Sequence, residues 1–363
     1  MMKIAFLHLT CGFVDRGSEV STQILASYFS KKKHQVVVYQ AVKRSDREDY
    51  QVKTILIPFL AWGRKESSFL GKIFKRLYLD FESLLVLLFS LKAIPALLKN
   101  KPDVLIPTNG FWQMLVCRLL KVFTGVKIVV IGRAGIGWHD KHNLKLRPDL
   151  FIALSKKASF WAKKINPNVK VIFLPNAIDI DSFLQQKAAL KLDLPRPVIL
   201  SVASLSPYKN IDKLILACVE LKNASCLVAG QGELYDYLKK MGSKKLGKRF
   251  LLTTFPYDQM ASLYKACDLF VLLSEEREAF GRVFLEAMAC GLTVVTADYP
   301  ERREILGAAG IYVSSFEEKT LALALKKALK LKKPELGLKQ VKKFSIEKIG
   351  PQYEEAFLRL LKI

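Results

Sequence analysis

The chain has 363 residues, 51% of them hydrophobic and 10% aromatic, enough apolar mass for two buried cores, which excludes an intrinsically disordered chain. Lysine and arginine outnumber the acids 58 to 33, a formal charge of +25. That excess calls for an anionic partner, whether a nucleotide sugar, a lipid headgroup surface or nucleic acid, and does not by itself choose among them.

From the N-terminus, Met1 to Leu9 carries one charge and a short apolar run. It lacks the longer apolar core and small-residue cleavage site of a secretory signal, so it predicts a first buried strand from Lys3 to Leu9. Further strand-length apolar runs follow at Gln35 to Gln40, Thr54 to Leu60, Asp103 to Pro107, Lys127 to Ile131, Leu150 to Leu154 and Val169 to Leu174. Longer helical or mixed stretches separate most of them, the pattern of a parallel sheet covered on both faces. The longest apolar run, Leu84 to Leu98, is interrupted by Lys92 and Pro95 and falls short of a spanning length, so no transmembrane segment is expected.

Around residues 69–78, Phe69, Leu70, Ile73, Phe74, Leu77 and Tyr78 alternate with Lys72, Lys75 and Arg76. This pattern either rests on an anionic membrane or forms a solvated basic face. A second basic stretch runs from Lys326 to Lys343, interleaved with leucines; neither is a compact basic module with interleaved aromatics, so no specific nucleic acid is expected. After the strand ending at Ile131 comes a glycine-rich loop, Gly132 to Asp140, which carries Arg133, His139 and Asp140 where open parallel sheets bind ligands. His139 and His142 stand at H-x-x-H spacing but lack further ligands, and no metal site is expected.

Asp179 to Pro197 is polar and closes on Leu194-Pro195-Arg196-Pro197, which suits a linker and no central element. The strand pattern then repeats at Val198 to Ala203, Ser225 to Ala229, Phe250 to Thr253, Leu269 to Leu273, Thr293 to Ala297 and Ile311 to Val313, with helices predicted over Asn210 to Lys222 and Met260 to Ala266. Ser345 to Ile363 is amphipathic, with Tyr353, Phe357, Leu360 and Leu361 near one face. The six cysteines, at 11, 117, 218, 226, 267 and 290, form no C-x-x-C pair and sit mostly in apolar runs, as reduced core thiols of a cytosolic protein would.

The most informative segment is Glu278 to Gly291 with the strand after it. Glu278 precedes a glycine; Glu286 lies eight positions on, inside a helix rich in small residues that stops at Gly291. Phe280-Gly281 lets backbone approach a ligand, and the helix opening there, through Arg282 and Val283, directs free N–H groups and a positive dipole end at it, which suits a phosphate. Glu286, among alanines, requires a hydroxyl pair or a cation as partner.

This E-x7-E segment resembles the signature of the retaining GT-B glycosyltransferases, glycosyltransferase family 4. Other segments fall in the family's order: Gly17-Ser18-Glu19 resembles its N-terminal glycine loop, Pro175-Asn176-Ala177-Ile178-Asp179 its domain-junction segment, Ser204 to Asn210 its donor loop with Lys209, and Gly230-Gln231-Gly232-Glu233 its G-x-G turn. The resemblance implies an α/β GT-B fold of two Rossmann-like domains with parallel sheets facing a central cleft. Residues 1–178 would be the acceptor domain, 179–344 the nucleotide-sugar donor domain, and 345–363 a helix crossing back to the first. It further implies transfer of a sugar from a nucleotide-diphosphate sugar, as co-substrate and with no cofactor or metal, to a hydroxyl of a glycan or lipid-linked acceptor, in the cytoplasm or at the inner face of the membrane.

By the same resemblance, Lys209 and the helix end at Gly281 hold the diphosphate, with Gly17 beside it. Glu286 takes the ribose hydroxyls, Glu278 the hydroxyls of the donor sugar, and Gly230 and Gly232 bring backbone near the nucleotide. Phe255-Pro256-Tyr257 lies where the family lines its base pocket, or is a packed core cluster. His139 is a candidate for contacting the reacting sugar or the acceptor. Two departures stand out: Ser204 replaces an arginine the family often carries, and Arg133 stands roughly where many members have a histidine. Either Arg282 or another basic group compensates, or the protein binds nucleotide sugars with weak or no turnover.

Overall fold

A computed structural model describes residues 1–14, 16–42, 49–57, 69–185, 190–331 and 334–362. The chain divides into two compact units, Met1–Ala177 with Ile346–Ile363, and Ile178–Ser345.

The first unit is built on a seven-stranded parallel sheet of β1 (Lys3–Leu7), β2 (Gln35–Gln40), β3 (Gln51–Thr54), β4 (Val104–Pro107), β5 (Lys127–Ile131), β6 (Leu150–Ala153) and β7 (Lys170–Phe173), in the order β3-β2-β1-β4-β5-β6-β7. In the register of the central strands Ala5 lies beside Val37 on one side and Leu105 on the other. Because helices cover a parallel sheet on both faces, successive side chains of these strands are all buried, and the sequence shows unbroken apolar runs. β3 departs from this: the apolar run at 54–60 predicts a strand there, yet the strand is Gln51–Thr54, half-exposed at the sheet edge beside Val37 to Gln40. An edge strand is held by its ladder more than by burial, so its residues need not be apolar; Ile55 and Ile57, just beyond it, enter the core, and 58–60 lie outside the described residues.

The helix Phe81–Asn100 begins at Asp80, whose carboxylate accepts from the Ser83 N–H at 3.2 Å, and it retains Pro95 in its interior. That corrects the expectation of an interrupted, short apolar run: Ile73–Asn100 is long and apolar enough to cross a membrane by length and composition alone. Here Leu85, Val86, Phe89, Ala93 and Leu97 of this helix belong to the core of the first unit. The C-terminal helix Ile346–Leu361 completes the same unit against Gly17–Lys31. Phe357 stacks on Phe29 with centroids 5.2 Å apart, and Glu354 accepts from the Tyr28 hydroxyl at 3.0 Å.

The second unit holds a six-stranded parallel sheet of β8 (Val198–Val202), β9 (Ser225–Ala229), β10 (Phe250–Thr253), β11 (Leu269–Leu272), β12 (Val294–Ala297) and β13 (Gly310–Val313), in the order β10-β9-β8-β11-β12-β13. The stretch expected to be a linker opens with a short helix, Ile180–Leu184, capped by Asp179 through the Ser182 N–H at 3.3 Å; 186–189 lie outside the described residues.

Candidate functional site

Both sheets reverse their winding between neighbouring strands, β1 and β4 in one, β8 and β11 in the other. Loops leaving the C-terminal ends of two such strands diverge to opposite faces and leave a crevice between them.

In the second unit that crevice gathers the charged residues. Lys209 closes a single turn, Pro207–Lys209, after β8; Glu278 lies on the loop after β11, and the two form an ion pair. The loops are fastened together by Asn210, whose side-chain amide donates to the Leu273 carbonyl at 2.9 Å, and by the Glu275 N–H, which donates to the Tyr208 carbonyl at 2.9 Å. Lys209 is only 6% exposed and lies 4.9 Å from the Tyr208 ring centre. Beside this pair, the buried hydroxyls of Ser206 and Ser274 have no hydrogen-bond partner among the described residues.

The helix that follows, Arg282–Ala289, is entered through Gly281 at φ +79°, where an added Cβ would come within 2.6 Å of the Phe284 ring. Only glycine accepts both the left-handed backbone and the close ring. Phe280 packs inward, edge-on to Phe344, and Val283 is half-buried, which leaves the backbone of this turn as its polar surface. Glu286, 4% exposed, accepts from the Tyr264 hydroxyl at 3.0 Å and lies 3.8 Å from the Arg282 guanidinium, which in turn reaches the Tyr257 hydroxyl at 3.5 Å. Burial raises the Glu286 pKa, with Arg282 and then Tyr264 acting against that rise. The partner required by a buried carboxylate is therefore internal. Gly230 serves the fold directly, since a Cβ there would fall 1.8 Å from the Ala203 carbonyl oxygen; Gly232 approaches Leu205 in the same way, and Ser204 between them is exposed.

In the first unit Gly17 opens the helix Gly17–Lys31 beside a buried polar cluster. Glu19 accepts from Thr10 at 2.7 Å and Ser18 at 3.1 Å, and Ser18 lies 2.9 Å from His8 Nε2. Burial, followed by the Arg133 charge, lowers the His8 pKa to about 3. Arg133 donates to the Ser18 carbonyl at 2.9 Å and the Thr22 hydroxyl at 2.6 Å, so it ties the loop after β5 to that helix.

His139 and His142 do not lie on a loop as expected, because Trp138–Lys145 is a helix; His142 Nδ1 lies 2.9 Å from the Trp138 carbonyl. His139 packs edge-on to Tyr78, and desolvation, then the Lys75 ammonium, lowers its pKa. Thr108, Asn109, Ile131, Arg133, His139 and Asp140 line a cavity of about 150 Å³ at the ends of β4 and β5. Asp140, 2% exposed, has one oxygen 3.3 Å from the Asn143 amide; burial raises its pKa to about 7, against hydrogen bonds from Asn143 and from the Ala134 and Gly135 backbone.

The structure thus brings Lys209 together with Glu278, and Arg282 with Glu286, within the second unit, while Gly17 and His139 belong to the first. Asp140, singled out on the loop after β5, is buried at the cavity, and Tyr264, Ser274 and Arg302 are unforeseen members of the second unit's cluster. No spacing rule points to them, because each is defined by burial beside a residue distant in sequence.

Residues 182–344 match the family of glycosyl transferases group 1. Among curated relatives, an uncharacterised glycosyltransferase of Methanocaldococcus jannaschii is 32% identical over 151 residues, 38% of this chain and 38% of that protein. A GDP-mannose-dependent alpha-(1-6)-phosphatidylinositol monomannoside mannosyltransferase of Mycolicibacterium smegmatis is 27% identical over 158 residues, 38% of this chain and 41% of that protein. The match therefore spans about two fifths of these relatives' length. Over the whole chain the fold is GT-B. Sucrose-phosphate synthase from Thermosynechococcus elongatus superposes with a TM-score of 0.79 at 16% identity over 100% of both chains. Anabaena HepE in complex with UDP and glucose gives 0.72 at 18% identity, covering 98% of this chain and 99% of that one.

Proposed function

We propose that the protein is a retaining, metal-independent glycosyltransferase of family 4 that moves a sugar from a nucleotide-diphosphate sugar to a hydroxyl of a glycan or lipid-linked acceptor. The observation that carries this reading is the Lys209–Glu278 pair at the β8/β11 crevice, inside the segment that matches the group 1 family.

As the bond from the sugar C1 to the diphosphate breaks, negative charge grows on the leaving oxygens. Lys209 and the backbone N–H groups at the start of Arg282–Ala289 meet that charge. Glu278 receives the donor sugar's hydroxyls, and Glu286 the ribose, each as an acceptor-only carboxylate. The acceptor oxygen forms its bond on the face the diphosphate leaves, and its proton passes to a leaving phosphate oxygen. His139 and the cavity beside it are assigned to the acceptor side.

Contact with an anionic membrane at the cytoplasmic face belongs to the same proposal. It is supported by exposed Ile73, Phe74, Leu77 and Leu79 around Lys75 and Arg76.

The test is incubation of the purified protein with UDP-, GDP- and ADP-sugars. Nucleotide release with one of them, unchanged by chelator, is expected. Thermal stabilisation without release would identify a binding protein instead, and neither response to any donor would overturn the assignment.

A further inference from the structure

Arg302, in the helix Pro300–Leu306 after β12, is among the largest side chains buried completely among the described residues, at 0% exposure. Its Nη2 donates to the Glu275 carbonyl at 3.4 Å, and its guanidinium lies 5.5 Å from the Phe284 ring centre. Nε and Nη1 have no hydrogen-bond partner among the described residues. A buried guanidinium satisfied at one nitrogen out of three is costly, and such a residue is retained where its charge has work elsewhere.

The groups acting on it identify that work. Burial lowers the Arg302 pKa, and the charge acting most strongly against that is Glu278, followed by Glu301 and Tyr299 from its own stretch of chain. The Glu275 carbonyl that Arg302 holds also accepts from the Glu278 N–H at 3.2 Å, and the Glu275 N–H donates to the Tyr208 carbonyl beside Lys209. Arg302 thus stands behind the turn that presents Glu278. The other cations nearby are engaged: Lys209 with Glu278, Arg282 with Glu286, and Arg277 with Glu275 at 3.2 Å.

We propose that Arg302 is a positioning residue of the donor site, whose buried charge and bond to the Glu275 carbonyl hold the turn of Glu278 in place when Lys209 leaves Glu278 for an anionic ligand. Resting on the donor-site reading above, this names the basic group that offsets the loss of arginine at Ser204, acting through Glu278 and not on the diphosphate itself. Without it, a Glu278 that gave up Lys209 would be left with no cation behind its turn.

The experiment has two arms on the full chain. In the ligand-free protein, the Glu278 carboxyl is titrated by carbon-13 NMR after glutamate labelling, its signal identified by Glu278→Gln. With Lys209→Met removing the direct partner, adding Arg302→Met should raise the Glu278 midpoint by about one pH unit or more, and Arg302→Lys should restore it. An unchanged midpoint would overturn the proposal, since a packing role does not move it.

In the second arm, Arg302→Met should weaken a nucleotide-diphosphate sugar about tenfold and the matching nucleoside diphosphate less than about twofold. Equal loss of both would assign Arg302 to the phosphates and refute the positioning role. Should the wild type bind no donor at all, the donor reading fails, while the NMR arm still decides Arg302. If Arg302→Met does not fold, Arg302→Gln takes its place in both arms.

Discussion

The two units repeat one topology and fill their switch points in opposite ways. At β8/β11 acid and base face each other before any ligand arrives, as Lys209 with Glu278 and Arg282 with Glu286. At β1/β4 and the neighbouring ends of β4 and β5, burial drives the groups toward neutrality: His8 titrates near 3, His139 is lowered and Asp140 is raised to about 7. A paired site can exchange an internal carboxylate for a phosphate without creating a bare charge. The cavity of the first unit, lined by Arg133 together with these near-neutral groups, offers hydrogen bonds from several side chains around a single cation. The contrast teaches that one sheet plan carries paired charges at one switch point and groups held near neutrality at the other.

The sharpest way to break the contrast is Glu286→Ala. It removes the buried carboxylate that faces Arg282 in the interior of the second unit and should cost about 3–5 kcal/mol of stability, read as a lower denaturant midpoint. Lys209→Met should lower donor turnover by about 10²- to 10³-fold with the fold intact, and a loss under about tenfold would remove Lys209 from the diphosphate.

The first unit is tested by pH. Asp140, raised when folded, stays protonated between about pH 4 and 7 while the unfolded chain releases its proton, so its contribution to stability falls as pH rises through that window. His8, lowered when folded, contributes in the opposite sense, and stability is lost as pH falls from about 6.5 to 3. The two slopes oppose one another. Asp140→Asn should therefore expose the His8 slope, a gain of about 1.4 kcal/mol per pH unit between pH 4 and 6, measured by denaturant unfolding. A variant as flat as the wild type would show Asp140 ionised in the fold. The smallest effect concerns the surface: Lys75→Gln with Arg76→Gln should weaken flotation with anionic vesicles by about 1 kcal/mol per charge, and unchanged flotation would move the membrane contact elsewhere.

Sequence patterns reveal the central strands because helices on both faces force every position to be apolar. They mislead at β3, where an edge needs no such run, and at Pro95, which reads as a break and stays inside a helix. The helix from Arg282 to its glycine stop is legible because Gly281 and Gly291 punctuate it; both have positive φ. Lys209 and Glu278, 69 positions apart, were brought together beforehand by resemblance alone. Arg302 carries no local signature, since an arginine in a basic stretch looks solvated until the fold closes over it, whereas Asp140 is marked by its glycine-rich loop at a strand end and only its burial is new.

The membership of the C-terminal helix in the first unit bears on synthesis. Residues 178–345 are contiguous and can complete their sheet and covering helices as one block, whereas the face of Phe29 and His34 waits for Phe357 and Glu354. The half of the protein that leaves the ribosome first is therefore finished last, and during translation it presents an apolar groove that a chaperone, or a neighbouring nascent chain, could occupy.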